Sequence, residues 1–391
     1  MSYQESQNLI MEAEKLLEDG DQEGSSAKYL EAAKQQKAFV DSLAPSKVRT
    51  RSVYGLSAAT LYYRGNDLDA AARLAHRVLS EAEVEAKSAT GLERLLSRIK
   101  NDRLLHDKGH KNISAPVSCF LRGDDIGEGI APANLVDRFT TSVISTFRRM
   151  AAWKSKLPFT VRLQQIVSEN YRVYQTEAMP GSYAVDFYIT GAKQLPLDFE
   201  GNEFSSVQPD EVVRSTMDFI RLDISGEDVS SEALNLPPDE EYRTTLLRLV
   251  RNMIPDGKGV SELELRLGDH SYETAVTLRP NSKPSLARLI NPGIAEVKSK
   301  PQTEVTEEQV GILRAVDLDT RKVKLDLPSG QKFAFTVPRT ISEDVLTPML
   351  NQQVKVRRYR SANKLKWIVQ DLDLSDEADN PVAKPAVNSK E

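Results

Sequence analysis

Residues 61–79 read "LYYRGNDLDAAARLAHRVL", and this stretch decides how the first third of the chain folds. One helix ends in Tyr62-Tyr63-Arg64, Gly65-Asn66-Asp67 breaks it, and a second helix begins near Leu68. The small residues Ala71 and Ala75 let the two helices approach closely. Upstream, Ile10, Ala13, Leu16 and Leu17 recur at helical spacing, and Gly20-Asp21 ends that helix. The next helix is expected from Ser25 or Ser26, as N-cap, to about Leu43, before Pro45 breaks the chain. The helix–Gly–helix unit repeats at an offset of 45 residues: Gly20 matches Gly65, Ala13 matches Ala58, Leu16 matches Leu61, Leu30 matches Ala75, and Ala33 matches Val78.

This unit resembles a tetratricopeptide hairpin. Tyr62, Gly65, Ala71 and Ala75 fall near that family's aromatic and small positions, with one extra residue after Gly65. The resemblance fits the hairpin around Gly65 well and the first hairpin loosely, and the offset exceeds the usual period of about 34 residues. A generic helical bundle is the alternative. The resemblance implies a repeat surface for a protein partner, with "TGLERLLSRIKNDRLLHDKG" (90–109) as capping helix.

Past residue 110 the periodicity changes. Val117, Cys119 and Leu121 alternate as a strand. "GDDIGEGIAPAN" is a Gly-rich loop, and Leu135, Phe139, Val143, Phe147 and Met150 line one face of a long helix that Pro132 opens. "FTVRLQQIVSENYRVYQTE" and "SYAVDFYITG" read as strands, 209–224 and 239–253 as helices, and "VSELELRLGDHSYETAVTLRP" as a hairpin turning at Gly268-Asp269. Residues 113–292 are thus an α+β domain and 293–303 a Pro-bounded linker. Residues 304–374 carry five short strands, with a helical turn before the fourth, and suggest a small SH3-like or OB-like β-barrel. Residues 375–391 are polar and Pro-containing, as in disordered tails. The expected fold class is multi-domain α+β.

At 391 residues, two to three domains are expected. A hydrophobic content of 40% and a charged content of 28% are those of a globular protein. The first residues carry no basic segment followed by an apolar core, so no signal peptide is expected. No run reaches the ~18 apolar residues of a spanning helix. A single cysteine excludes an intrachain disulfide and an all-cysteine zinc site. Together these features suit a cytoplasmic protein.

The Gly-rich loop lies between a strand and a helix, where phosphate cradles occur. Gly123, Gly127 and Gly129 do not form the dinucleotide fingerprint, and no Lys-Ser/Thr follows. Asp124, Asp125 and Glu128 could hold Mg²⁺ or Ca²⁺ through oxygen ligands; a solvated loop ahead of a helix N-terminus explains the same acids. Asp256, Glu296 and Lys298 superficially match a nuclease pattern, but the Glu-x-Lys pair lies between Pro292 and Pro301, off any expected core strand. His106 and His110 stand four apart beside Asp107, with Gly109 interrupting the turn and no third ligand evident. Cys119 reads as a core thiol and His270 as a hairpin-tip residue. No catalytic set is suggested and no cofactor is expected.

The remaining candidate is "KVRRYRSANKLK" (355–366), with six basic residues and no acidic one, in a chain of net charge −5. On paired strands Val354, Val356, Leu365, Trp367 and Val369 would face inward. Lys355, Arg357, Lys364 and Lys366 would face outward, with Arg358, Tyr359 and Arg360 near the turn. Such a surface suits a nucleic acid or an acidic protein surface, although residues 302–374 have a net charge of only +2. The leading expectation is a non-enzymatic adaptor presenting its helical repeats to a protein partner. The second is a nucleic-acid-associated protein acting through the basic hairpin, and the third an enzyme with a site in the α+β domain.

Overall fold

The computed structural model describes residues 3–19, 21–110, 113–127, 129–176, 183–191, 207–224, 237–268, 275–291, 304–361 and 367–375. The chain forms two compact units, Met1–His110 and Lys111–Glu391. Among the described residues, no helix is long and apolar enough to cross a membrane.

The first unit is helical throughout: α1 (Tyr3–Glu18), α2 (Gln22–Ser42), α3 (Val48–Arg64), α4 (Leu68–Leu79) and α5 (Ala86–Asp107). Each helix packs on the next. The 45-residue offset shows in burial at two pairs, Ala13 with Ala58 and Ala33 with Val78, all fully buried; Leu16 and Leu30 are half-buried where Leu61 and Ala75 are buried, and Gly20 lies outside the described residues. Close approach requires glycine at Gly55, where an added Cβ would lie 2.7 Å from Val78 Cγ2, so the Val78 side chain of α4 packs directly on the α3 backbone. The start of α2 corrects the expected Ser25 or Ser26 cap. Asp21 takes that role, its carboxylate accepting the Gly24 N–H at 2.9 Å, because its side chain reaches the third amide of the helix.

The second unit opens with a five-stranded antiparallel sheet. Its strands are β1 (Val117–Arg122), β2 (Arg172–Gln175), β3 (Tyr183–Thr190), β4 (Glu262–Leu267) and β5 (Val276–Leu278), in the order β2-β3-β1-β4-β5. Cys119 lies between Val185 and Leu265, and this face shares one core with α6 (Ala133–Lys154), α8 (Pro209–Ile224) and α9 (Glu240–Met253). The expected face of α6 is buried at all five positions, and Phe139 meets Phe187 edge-on at 5.8 Å. One expected strand is partly a helix, since Gln165–Asn170 forms α7 ahead of β2. Its turn is held by Ser168 Oγ donating to Gln165 O and Asn170 Nδ2 donating to Ile166 O, and it buries Val167. These local contacts override the β-branched composition. A short α10 (Lys283–Ile290) follows β5.

A second antiparallel sheet holds β6 (Glu304–Asp317), β7 (Lys322–Asp326), β8 (Lys332–Thr336), β9 (Gln353–Ser361) and β10 (Ile368–Leu374), in the order β10-β9-β6-β7-β8. The five strands are present, but the expected closed barrel is not. Among the described residues no ladder joins β8 to β10. Helical residues cover the inner face instead: Val345 and Leu346 of α11 (Glu343–Leu346), Met349, and Leu249 reaching across from α9.

Helix α9 therefore serves two cores. Leu246, Leu247, Val250 and Met253 pack toward the first sheet, while Leu249 joins the second. Between the cores lie three buried arginines. Arg149 of α6 donates to both oxygens of Asp344, at 2.5 and 2.8 Å, and to the Thr160 and Val161 carbonyls. Arg251 grips Asp371 at 2.6 and 3.0 Å and donates to Leu372 O at 2.8 Å. Arg248 bonds Thr340 Oγ1 at 2.5 Å and lies 3.6 Å from Asp371. Burial works against the Arg251 charge, but Asp373 and Asp371 outweigh it and hold the guanidinium above its usual range. Burial pulls Arg248 down to about 10, which leaves it charged at neutral pH.

Two stability tests follow from this packing. Ala71→Leu should cost about 1–3 kcal/mol by overpacking the α3/α4 contact, read by thermal melting of residues 1–110; an unchanged melt would place Ala71 outside the contact. Arg251→Met should cost about 3–5 kcal/mol, because Asp371 loses its bidentate partner. Urea denaturation of residues 111–391 followed at two probes, one per sheet, should show coincident transitions in the wild type. They should separate in Arg149→Met/Arg251→Met, and a single unshifted transition would rule the arginines out as the fastening.

Candidate functional site

The strand β9 carries four of the six expected contact residues, and its partner strand decides what they can do. In the β6–β9 register Glu307 faces Arg358 and Glu308 faces Arg357. Antiparallel neighbours share a face, so Arg357 and Arg358 each meet an acid, whereas Lys355 and Arg360 stand opposite Val310 and Val305. Arg357 donates to Glu308 Oε1, through Nε at 2.8 Å, and Lys355 Nζ lies 3.3 Å from Glu308 Oε2. Arg358 donates to Glu307 at 2.9 Å. Burial pushes the Glu308 carboxyl up, but Arg357 and then Lys355 outweigh it and hold it below the usual range.

Two expectations about faces change. Arg358 is not a surface residue near the turn but is only 7% exposed. Its guanidinium lies 4.4 Å from the Phe333 ring centroid and 4.4 Å from that of Trp367. Trp367 is half-buried and outside the apolar cores, with Arg360 stacked on it at 4.9 Å. The bulge between Val369 and Asp371 shifts the β9–β10 register. The ring is therefore engaged in cation–π contacts at the mouth of the sheet. Val354, Val356 and Val369 are buried as expected. Lys364, Lys366 and Leu365 lie outside the described residues.

Further exposed positive charge stands elsewhere, on positions that their sequence context did not single out; Lys322 faces Asp317, whose carboxyl is held below its usual range by Thr320 first and by Lys322 in lesser part. Lys322 and Lys324 of β7 and Lys332 of β8 are exposed and form no ion pair among the described residues. They alternate with Val323, Leu325 and Phe333, a signal that strand periodicity alone could have revealed.

The remaining candidates do not assemble. Asp124 and Asp125 are exposed, and Glu128 lies outside the described residues. The Asp125 N–H bonds Gly259 O at 2.9 Å, and a Cβ on Gly259 would stand 1.8 Å from Asp125 Oδ2, so the loop is braced on a neighbouring turn. Among the described residues no group of three or more His, Cys, Asp or Glu could hold a metal. Asp256 accepts the Lys258 N–H, while Glu296, Lys298 and His270 lie outside the described residues. His106 is exposed and His110 buried. Cys119 is fully buried, and burial, then Asp186, pushes its thiol well up, away from the reactive thiolate. A shallow groove of about 550 Å³ beside the start of α6 is lined by Ile130, Val136, Asp137, Thr140, Gln175 and Tyr183. No nucleophile–base pair lies among those residues.

No protein family matches this chain, and no curated protein and no solved structure does either.

Trp367→Ala should cost less than the ~3–5 kcal/mol of a fully buried tryptophan, measured by urea denaturation; a loss in that range would make the ring a core element. The Glu308 carboxyl, followed by carbon NMR through an acid titration, should protonate below the usual glutamate range and move up in Arg357→Gln. Because its folded pKa is depressed, its contribution to stability is complete above the unfolded value and fades as pH falls through the folded one. An unmoved midpoint would remove the ion pair as the cause.

Proposed function

We propose that this chain is a non-enzymatic interaction protein whose N-terminal helices present a tetratricopeptide-like surface to a protein partner in the cytoplasm. The observation that supports this reading is a run of consecutive helices packed in order, compatible with a repeated hairpin, with Ala13 and Ala58 buried 45 positions apart. Arrays of this kind bury a continuous core through neighbour contacts and leave broad outer surfaces for recognition. Met11, Phe39, Val53 and Leu104 are exposed apolar residues on these helices, and Phe39 meets Tyr54 edge-to-face at 4.8 Å. Exposed aromatic and apolar side chains are what a protein interface draws on.

The charge pattern of the second sheet favours this reading over nucleic-acid binding by the β9 hairpin. Glu307 pairs with Arg358, and Glu308 is shared by Lys355 and Arg357, so releasing those cations to phosphate would strand two carboxylates. The helical turn before the fourth strand supports the OB-like member of the two small-sheet arrangements, with the closing edge left open.

Cross-linking of the full chain in cell extract, read by mass spectrometry, tests the proposal. Partner cross-links should fall within residues 3–107 and be lost in Phe39→Glu/Val53→Glu, with the circular dichroism of the chain unchanged. Cross-links confined to residues 111–375, or untouched by the double substitution, would overturn it.

A further inference from the structure

We infer that the exposed face of the β7–β8 hairpin binds the phosphate backbone of a single-stranded nucleic acid, through Lys322, Lys324 and Lys332. The inference is independent of the partner surface on the helices. On β7, Lys322 and Lys324 point outward while Val323 and Leu325 are buried. The two-residue period sets the lysines about 6.6 Å apart along the strand, comparable to successive phosphates of an extended strand. On β8, Ala334 lies opposite Lys324 and Thr336 opposite Lys322. Both are small and exposed, so nothing rises between the ammonium groups and an approaching chain. Lys332 extends the row from the other strand, diagonal to Lys324. Arg321, exposed at the start of the hairpin, adds a further charge at the rim.

The acids nearby are occupied. Asp326, opposite Lys332, is paired with Arg314 at 3.2 Å. Asp317, opposite Lys322, accepts the Thr320 hydroxyl at 2.6 Å and the N–H groups of Asp319 and Thr320. Asp319 is paired with Arg162 at 3.3 Å. This arrangement contrasts with β9, where the acids are spent on the cations themselves. On β9 two glutamates are ion-paired with three of the cations, whereas Lys322, Lys324 and Lys332 form no ion pair among the described residues.

The surroundings select the ligand class. A peripheral membrane site sets apolar side chains beside its cations for insertion, and the exposed neighbours here are Ala334 and Thr336. A protein interface centres on aromatic and apolar anchors and is depleted of lysine; both phenylalanines of β8 turn toward the core. A flat row of ammonium groups with neither feature recognises a line of charge and carries no base specificity.

Fluorescence anisotropy of the full chain with a labelled oligothymidylate tests the inference. Binding at low salt should weaken with a log–log salt slope of about −2, from three neutralised phosphates at roughly −0.7 each. Lys322→Gln/Lys324→Gln/Lys332→Gln should lose binding at least about tenfold, as expected when essentially the whole electrostatic term goes. Glu308→Gln/Arg357→Gln, which removes one charge of each sign from β9, should bind like the wild type. Urea denaturation should show both variants folded. The inference falls if the oligonucleotide does not bind at low salt or if the triple variant keeps the wild-type affinity. It falls equally if phosphatidylserine vesicles or polyglutamate compete as well as unlabelled oligothymidylate.

Discussion

The second unit depends on three arginines that lie between two apolar layers. Arg149, Arg248 and Arg251 are each 1–2% exposed, and together they engage Asp344, Asp371 and Thr340. A buried guanidinium is costly unless its donors are filled and its charge is met. Here the filling comes from the C-terminal sheet and the segment before it. The first sheet and its helices therefore cannot bury these side chains favourably without the second sheet in place. The ion pairs specify one docking geometry, and Leu249, inserted from α9 into the second core, supplies apolar area at the same joint.

That joint also explains the open sheet. The inner face of β6–β10 needs an apolar cover, and a five-stranded sheet can obtain one by curling on itself or by packing on helices. The residues 341–349 and Leu249 provide the second solution. With the cover supplied, β8 and β10 come near each other without a ladder between them. The mouth is instead capped by Phe333, Arg358 and Trp367 stacked on one another. The charged faces follow from the same pairing: β6 brings two glutamates to β9, and no acidic strand lies beside β8.

The helical unit obeys simpler physics. Its contacts are mostly between neighbours in sequence, with α5 also reaching α3, and small residues, chiefly alanine, are prominent where its helices cross. Close backbone approach leaves little side-chain volume in the seam, so the larger side chains Met11, Phe39 and Val53 stand exposed on the outer faces.

Although the start of α2 was not legible in the sequence, its cap being Asp21 rather than Ser25 or Ser26, the run of N-terminal helices, the α6 core face and the alternation of β1 and β9 were. Each depends on a period of 3.6 or 2 within one short segment, and the apolar pattern alone sets it. The seven residues from Gln164 to Asn170 misled, because one turn of helix bonded through Ser168 and Asn170 looks β-prone by composition. The basic stretch at 355–366 misled for a different reason. Its charge is a local property, but its neutralisation depends on Glu307 and Glu308, some fifty residues upstream, brought alongside by strand pairing. The lysines of β7 and β8 were visible as letters but carried no distinguishing run. Outside residues 164–170 and the end of the second sheet at 358–367, sequence alone determined which of the described segments are helix or strand and which of their faces are apolar. Only the tertiary structure decided which charges are spent on one another and which remain for a ligand, because a salt bridge depends on distance in space and the chain records only distance along itself.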